Sequence, residues 1–161
     1  MYKKVIKNKM YLSDFEKTIS EAQNKGLTAF TDGSMDNRSV ENDMKFSFAI
    51  YEGNEVIESK VLEQKYNGKR NSINKAEALG IIYALAFLDE NNCNDEHITF
   101  FTDSKIVYHV CRLRKLPKQD SIFYGVCGSL LRGIDKFSDI HFEWIPRELN
   151  EYADGLMRDN D

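Results

Sequence analysis

No run of apolar residues in the 161-residue sequence approaches the roughly 20 needed to cross a bilayer as a helix, so no such span is expected. The first residues, MYKKVIKNKMYLSDFE, carry lysines with no apolar stretch behind them, unlike a secretory signal. Cysteine is scarce. Cys93, Cys111 and Cys127 are odd in number and widely spaced, with no C-x-x-C pair. That pattern points to reduced thiols rather than a disulfide set or a zinc site, and to a cytoplasmic location by default. There is no excess of positive charge: 22 Lys and Arg face 26 Asp and Glu, a net charge of −4. Bulk charge therefore excludes non-specific nucleic-acid binding, and any such contact must come from a local basic patch. With two prolines in all, there is no Pro-rich linker. Repeats, low-complexity tracts, a G-x-G-x-x-G turn and a phosphate-binding P-loop are also missing.

What is present suits a single domain. Apolar residues make up 42% and charged residues 30%, enough for one sizeable core. Residues 13–25 read as a short helix, with Ser13 as N-cap, Glu16 completing a capping box and Gly26 as the stop. LTAFTD (27–32) reads as a strand closed by an Asp32-Gly33 turn. KFSFAIYE (45–52) alternates, and EVIESKVLEQ (55–64) pairs back on it across Glu52-Gly53-Asn54. Residues 74–92 form a strong Ala/Leu/Ile helix. HITFFTD (97–103) is apolar on both faces and so belongs in the middle of a sheet. Helical patterns follow at 104–114 and about 120–136, a strand at 139–146, and a last helix over about 150–157. Three antiparallel strands followed by helix-linked parallel ones predict an α/β fold: a mixed five-stranded sheet with helices on both faces.

Four carboxylates stand out. Glu77 shares a helical stripe with Ile81, Ala84 and Leu88, which should face the sheet. A buried carboxylate needs a cationic partner, backbone donors or a metal ion; alternatively the first turn stays wet and Glu77 merely suits a helix N-terminus. Asp32 and Asp103 each end an apolar strand, in Thr31-Asp32-Gly33-Ser34 and Thr102-Asp103-Ser104. Taken singly they read as a turn residue and an N-cap. If their strands are parallel neighbours, they meet at one end of the sheet, where ligands bind. Asp154 sits in the first turn of the last helix, where it could equally be a surface acid. Four acids at one sheet end repel one another unless cations are present. Oxygen ligands without a His or Cys cluster point to Mg²⁺ or Mn²⁺, and acid-only sites holding two such ions are a recurring solution for phosphodiester cleavage.

The motifs TDGS around Asp32, NKAEALG around Glu77, FTDS around Asp103 and NEYADGLMR around Asp154 resemble, in order and each on its expected element, the four acidic motifs of type I ribonuclease H. The resemblance covers about residues 27–158, leaving 1–26 as an N-terminal extension with a short helix and 159–161 as a tail. It implies hydrolysis of the RNA strand of an RNA–DNA hybrid to 3′-hydroxyl and 5′-phosphate ends, with two Mg²⁺ ions, or Mn²⁺ in their place. Asp32 would bridge both ions, Asp154 would help hold the ion carrying the attacking water, and Glu77 and Asp103 would hold the other. Gly33, Ser34, Asn74, Lys75, Ser104 and Asn150 match positions that would line the substrate groove, Asn74 near ribose 2′-hydroxyls. The chain departs from the longer family members. Trp144–Asn150 is short and has no His, the loop after Ser34 lacks the usual glycines, Ile73 replaces a polar residue, and there is no basic protrusion.

Lys69 and Arg70, ahead of the Glu77 helix, and Arg112, Arg114 and Lys115, at the end of the next, are candidate phosphate contacts; otherwise they are solvated charge or helix-dipole compensation. The expected partner is an RNA–DNA hybrid, with no membrane, and the expected state is a monomer. Another nuclease on the same fold, such as a junction resolvase, and a non-catalytic nucleic-acid-binding module are the competing readings.

Overall fold

The computed structural model describes residues 2–35, 43–65, 71–118 and 122–150, with side chains from Tyr11 onward. Its strands are β1 (Leu27–Met35), β2 (Met44–Glu52), β3 (Glu55–Gln64), β4 (Ile98–Thr102) and β5 (Ile140–Trp144). Its helices are α1 (Tyr2–Lys25), α2 (Ile73–Glu90), α3 (Lys105–Leu113) and α4 (Tyr124–Ile134), with one 3₁₀ turn at Arg147–Leu149. The strands form one sheet in the order β3-β2-β1-β4-β5. The β1–β2 and β2–β3 pairs are antiparallel, and the β1–β4 and β4–β5 pairs are parallel. This is the mixed five-stranded α/β sheet the sequence predicts.

Burial follows the order of strands. β4 is buried along its whole length, as its two apolar faces require. In β2, Phe46, Phe48 and Ile50 are buried on one face, but Ser47 and Ala49 are buried on the other as well, so the alternation marks a covered strand. The edge strand β3 stays largely exposed. On one face α2, α3 and α4 close the main core: Ile81, Ala84, Leu85 and Leu88 meet Phe48, Phe100, Val107, Val110, Cys127 and Leu130. On the other face α1 lays Ile19 and Ala22 over Phe30, Phe101 and Ile145. Phe30 and Phe101 stack across the β1–β4 pair with ring centroids 5.0 Å apart. Each such buried ring contributes about 1.5–3 kcal/mol. Cys93, Cys111 and Cys127 are free thiols; burial pushes Cys111 up to about 12 and Cys127 up to about 11.

Two expectations are corrected here. The first helix does not begin at a Ser13 cap; it runs for 24 residues from Tyr2. No Pro or Gly interrupts residues 2–25, so the Ser13/Glu16 pattern, a local signal, is overridden by continuous helix propensity. The Asp32-Gly33 pair does not end its strand. β1 continues through both residues to Met35, paired with β2 as far as Met35↔Met44. The last expected helix, about 150–157, lies outside the described residues.

Candidate active site

Asp32, Glu77 and Asp103 come from three elements and place one carboxylate oxygen each within 4.8 Å of one another. The parallel β1–β4 pairing, Phe30↔Phe101, carries the two Thr-Asp sequences side by side to the same end of the sheet. Each aspartate stands two residues beyond its phenylalanine. Asp32 is 5% exposed, and its Oδ1 accepts from the Gly33 N–H at 2.9 Å.

Asp103 follows the last residue of β4. Trp144 Nε1 donates to its carbonyl at 3.0 Å, and the next N–H, that of Ser104, donates to Thr102 Oγ1 at 3.1 Å. The N-cap of α3 is Ser104, whose hydroxyl accepts from the Val107 N–H at 3.3 Å. Helix capping therefore does not explain Asp103.

Glu77 reaches the pair because α2 lies directly on the β1 backbone. A Cβ on Gly33 would fall 2.4 Å from the Glu77 nitrogen and 2.5 Å from the Ala76 carbonyl carbon. Only a residue without a side chain permits that approach. The start of α2 is fixed by Ser72, whose hydroxyl accepts from the Lys75 N–H at 3.1 Å.

Glu77 is 6% exposed, so its own side chain is withdrawn from water although the first turn ahead of it is not. Its Oε2 is buried and has no hydrogen-bond partner. Burial first, then the charges of Asp32 and Asp103, hold its carboxyl well above the ordinary 4.5; a hydrogen bond to the Gly33 backbone works the other way. A buried oxygen with no donor, facing two more acids, is a poor arrangement for a bare protein and a suitable one for a hard divalent cation. The residues present therefore fit Mg²⁺ or Mn²⁺.

The raised carboxyl has a consequence for stability. Its native pKa lies above the unfolded value, so the native state binds the extra proton in the interval between them. The contribution is complete below 4.5 and is lost as pH rises through the native value. In EDTA the melting temperature is expected to fall as pH rises above 4.5. Glu77→Gln should flatten that fall, and Mg²⁺ should counter it at the upper end. Differential scanning fluorimetry across this range checks it; an equal slope in Glu77→Gln would assign the effect elsewhere.

A cleft of about 440 Å³ opens beside the acids, lined by Asp32, Gly33, Ser34, Met35, Ile73, Asn74, Glu77, Asp103, Ser104 and Arg147. Of the six expected groove residues, Gly33, Ser34, Asn74 and Ser104 line the cleft, and Lys75 is next along α2. Asn150 does not line it. It is fully buried and donates through Nδ2 to the Thr31 carbonyl at 2.9 Å, so it ties the end of the described chain to β1 beside Asp32.

Arg114 lies elsewhere. It pairs with Asp135 and, as the left-handed C-cap of α3, stands about 13 Å from the start of that helix. Arg112 sits with it near His141, at the far end of the sheet from the acids, and Lys115 follows them. Lys69, Arg70 and Asp154 lie outside the described residues. Sequence reasoning passed over Arg147. No local pattern marks it, and it reaches the cleft only because β5 lies beside β4 and the chain turns immediately after β5.

A family profile described as reverse transcriptase-like matches residues 58–159. No curated protein matches the sequence significantly. Among solved structures, the fold is similar to the N-terminal RNase H domain of Rv2228c from Mycobacterium tuberculosis, at 21% identity over 83% of this chain and 91% of that one, with a TM-score of 0.69. It is similar to RNase H1 from the archaeon Halobacterium salinarum, at 20% identity over 84% and 98%, TM-score 0.68. It is also similar to LC11-RNase H1 in complex with an RNA/DNA hybrid, at 19% identity over 81% and 92%, TM-score 0.62.

Proposed function

This chain belongs to the reverse transcriptase-like family, within the ribonuclease H-like superfamily, and on that premise we propose that it is a divalent-metal-dependent endonuclease cutting the RNA strand of RNA–DNA hybrids. The observation that carries the reading is the convergence of Asp32, Glu77 and Asp103 around a buried Glu77 oxygen with no donor. The products are a 3′-hydroxyl and a 5′-phosphate. Asp154 is the fourth acid of the proposed set; it follows four residues after Asn150, which is anchored beside Asp32.

Asp32, Glu77, Asp103 and Asp154 would hold Mg²⁺ or Mn²⁺. When bound, such ions supply activation of water and neutralisation of charge on the leaving oxygen. The rest falls to the protein's own groups. The paired backbone of β1 and the end of β4 fix two carboxylates, and α2 fixes the third, so these acids need not rearrange when substrate arrives. Asn74 offers a side-chain donor and acceptor on the cleft wall, beside Gly33 and Ser34, suited to ribose hydroxyls that DNA lacks. Arg147, exposed at the other side of the cleft, offers a cation to a phosphate. A structural neighbour described with a bound RNA/DNA hybrid makes the same substrate class reasonable here.

The test is cleavage of an end-labelled RNA–DNA hybrid with Mg²⁺, Mn²⁺ or EDTA, beside the same RNA as a single strand and as a duplex. Cutting of the hybrid's RNA strand alone, lost in EDTA, is the expected result. No cutting with either ion, at enzyme excess and low salt, would falsify the proposal.

A further inference from the structure

A second group of metal-ligating side chains lies at the opposite end of the sheet. His97 immediately precedes β4, Asp139 immediately precedes β5, and His141 is the second residue of β5. From His97 to Asp103 the chain advances about 20 Å, so this group is remote from the three acids. His97 Nδ1 stands 2.8 Å from one Asp139 oxygen, and His141 Nε2 stands 2.6 Å from the other. One ligand atom from each residue lies within 4.8 Å of the other two, and the two imidazole centroids are 4.6 Å apart.

The backbone beneath is held by the sheet. The His97 carbonyl accepts from the Leu27 N–H at 2.9 Å, and the Asp139 carbonyl accepts from the Ile98 N–H at 3.0 Å. His141 is registered against Thr99. The three ligands therefore start from fixed points on adjacent parallel strands, and only their side-chain torsions remain to be set.

We propose that His97, Asp139 and His141 form a binding site for a borderline transition-metal cation of the Zn²⁺ class, distinct from the hard-cation site. Two imidazoles and one carboxylate are the donors such ions prefer over Mg²⁺. Ligation through His97 Nδ1 and His141 Nε2 displaces the protons those nitrogens share with Asp139, which pass through solvent water to the other ring nitrogen or are released. The side chains are 27%, 47% and 50% exposed, which leaves water to complete the coordination shell. The ion would join the connection entering β4 to the connection entering β5. Its effect is to clamp the edge strand, and it takes no part in phosphodiester chemistry.

The experiment is titration of the full chain with Zn²⁺, and with Co²⁺ as a spectroscopic substitute, in the presence of excess Mg²⁺. It is run on the unaltered protein, on Asp103→Asn, on His141→Ala and on Asp139→Asn. The expected result is one equivalent of Zn²⁺ bound in the unaltered protein and in Asp103→Asn, with a visible Co²⁺ band. The melting temperature should rise by about 5 °C at a hundredfold excess over Kd. Both second-site variants should lose at least tenfold in affinity while keeping the native circular dichroism spectrum. Imidazole NMR shifts should move at His97 and His141 and stay put at His109, which is exposed on α3. Absence of saturable binding, equal binding in both second-site variants, or loss of binding in Asp103→Asn would each overturn the proposal. If a variant fails to fold, the NMR comparison among the three histidines of the unaltered protein decides.

Discussion

Asp103→Asn is expected to lower cleavage of an RNA–DNA hybrid by about a thousandfold or more, the scale on which losing one well-placed electrostatic group slows an enzyme. The fold should survive. The Trp144 indole N–H on the Asp103 carbonyl and the Ser104 N–H on Thr102 Oγ1 help shape this corner, and asparagine keeps both. Asp103 is one of the two charges that raise the Glu77 carboxyl, so its removal relieves repulsion in the metal-free protein. Loss of turnover with an unchanged or slightly higher melting temperature in EDTA is therefore the signature of a functional acid. A structural acid would show the opposite, activity falling in step with stability. Single-turnover cleavage in Mg²⁺, paired with thermal melting, separates the two. A variant retaining more than a tenth of the parent rate would remove Asp103 from the catalytic set.

The second large effect is expected at Gly33. Its added Cβ in Gly33→Ala would meet the Glu77 nitrogen at 2.4 Å, the Ala76 carbonyl carbon at 2.5 Å and the Glu77 Cα at 2.8 Å. These are backbone atoms of α2 and cannot swing aside as a flexible side chain would, so helix and strand must separate. Overpacking of this kind costs about 3 kcal/mol, which in a chain of this size lowers the melting temperature by about 6–12 °C. The separation also draws Glu77 away from Asp32 and Asp103. A displacement of about 1 Å at a reacting centre costs about a hundredfold in rate. Urea unfolding and a Mn²⁺ titration measure the two consequences independently. Gly125→Ala is the matched control. Gly125 sits in α4 with open space around a built Cβ, so alanine there should raise stability by about 0.5–1 kcal/mol. Equal tolerance of both substitutions would mean that α2 does not rest on β1.

Much of the site could be read from the chain because its signals are short-range. The repeated Thr-Asp pair after two apolar runs, and the stripe of Glu77 with Ile81, Ala84 and Leu88, are patterns within about three helical turns of a residue. The structure puts Ile81, Ala84 and Leu88 in the core and Glu77 beside both aspartates. Where sequence reading went astray, local signals competed. The Ser13/Glu16 pair has the form of a cap and lies inside α1, and Asp32-Gly33 has the form of a turn and lies inside β1. A capping or turn residue acts only where the chain would otherwise stop; here continuous helix propensity carried α1 onward, and pairing with β2 carried β1. The role of Gly33 was hidden for the same reason: its need for no side chain comes from a helix that begins 40 residues later.

By itself, then, the sequence determined the order of elements, the burial of β4, the face of α2 that meets the sheet and the four candidate acids. Alternation, helical period and end signals are properties of neighbouring residues. Only the tertiary structure decided that Asn150 is spent on the Thr31 carbonyl 119 residues away, and that Arg114 is paired with Asp135 at the far end from the acids. It also decided that Arg147 enters the cleft and that His97 reaches Asp139, 42 residues away, where His141 already meets it. Contacts of that separation depend on which strands become neighbours and on how helices settle on them. That is fixed by closing the whole core, and no window along the chain contains it.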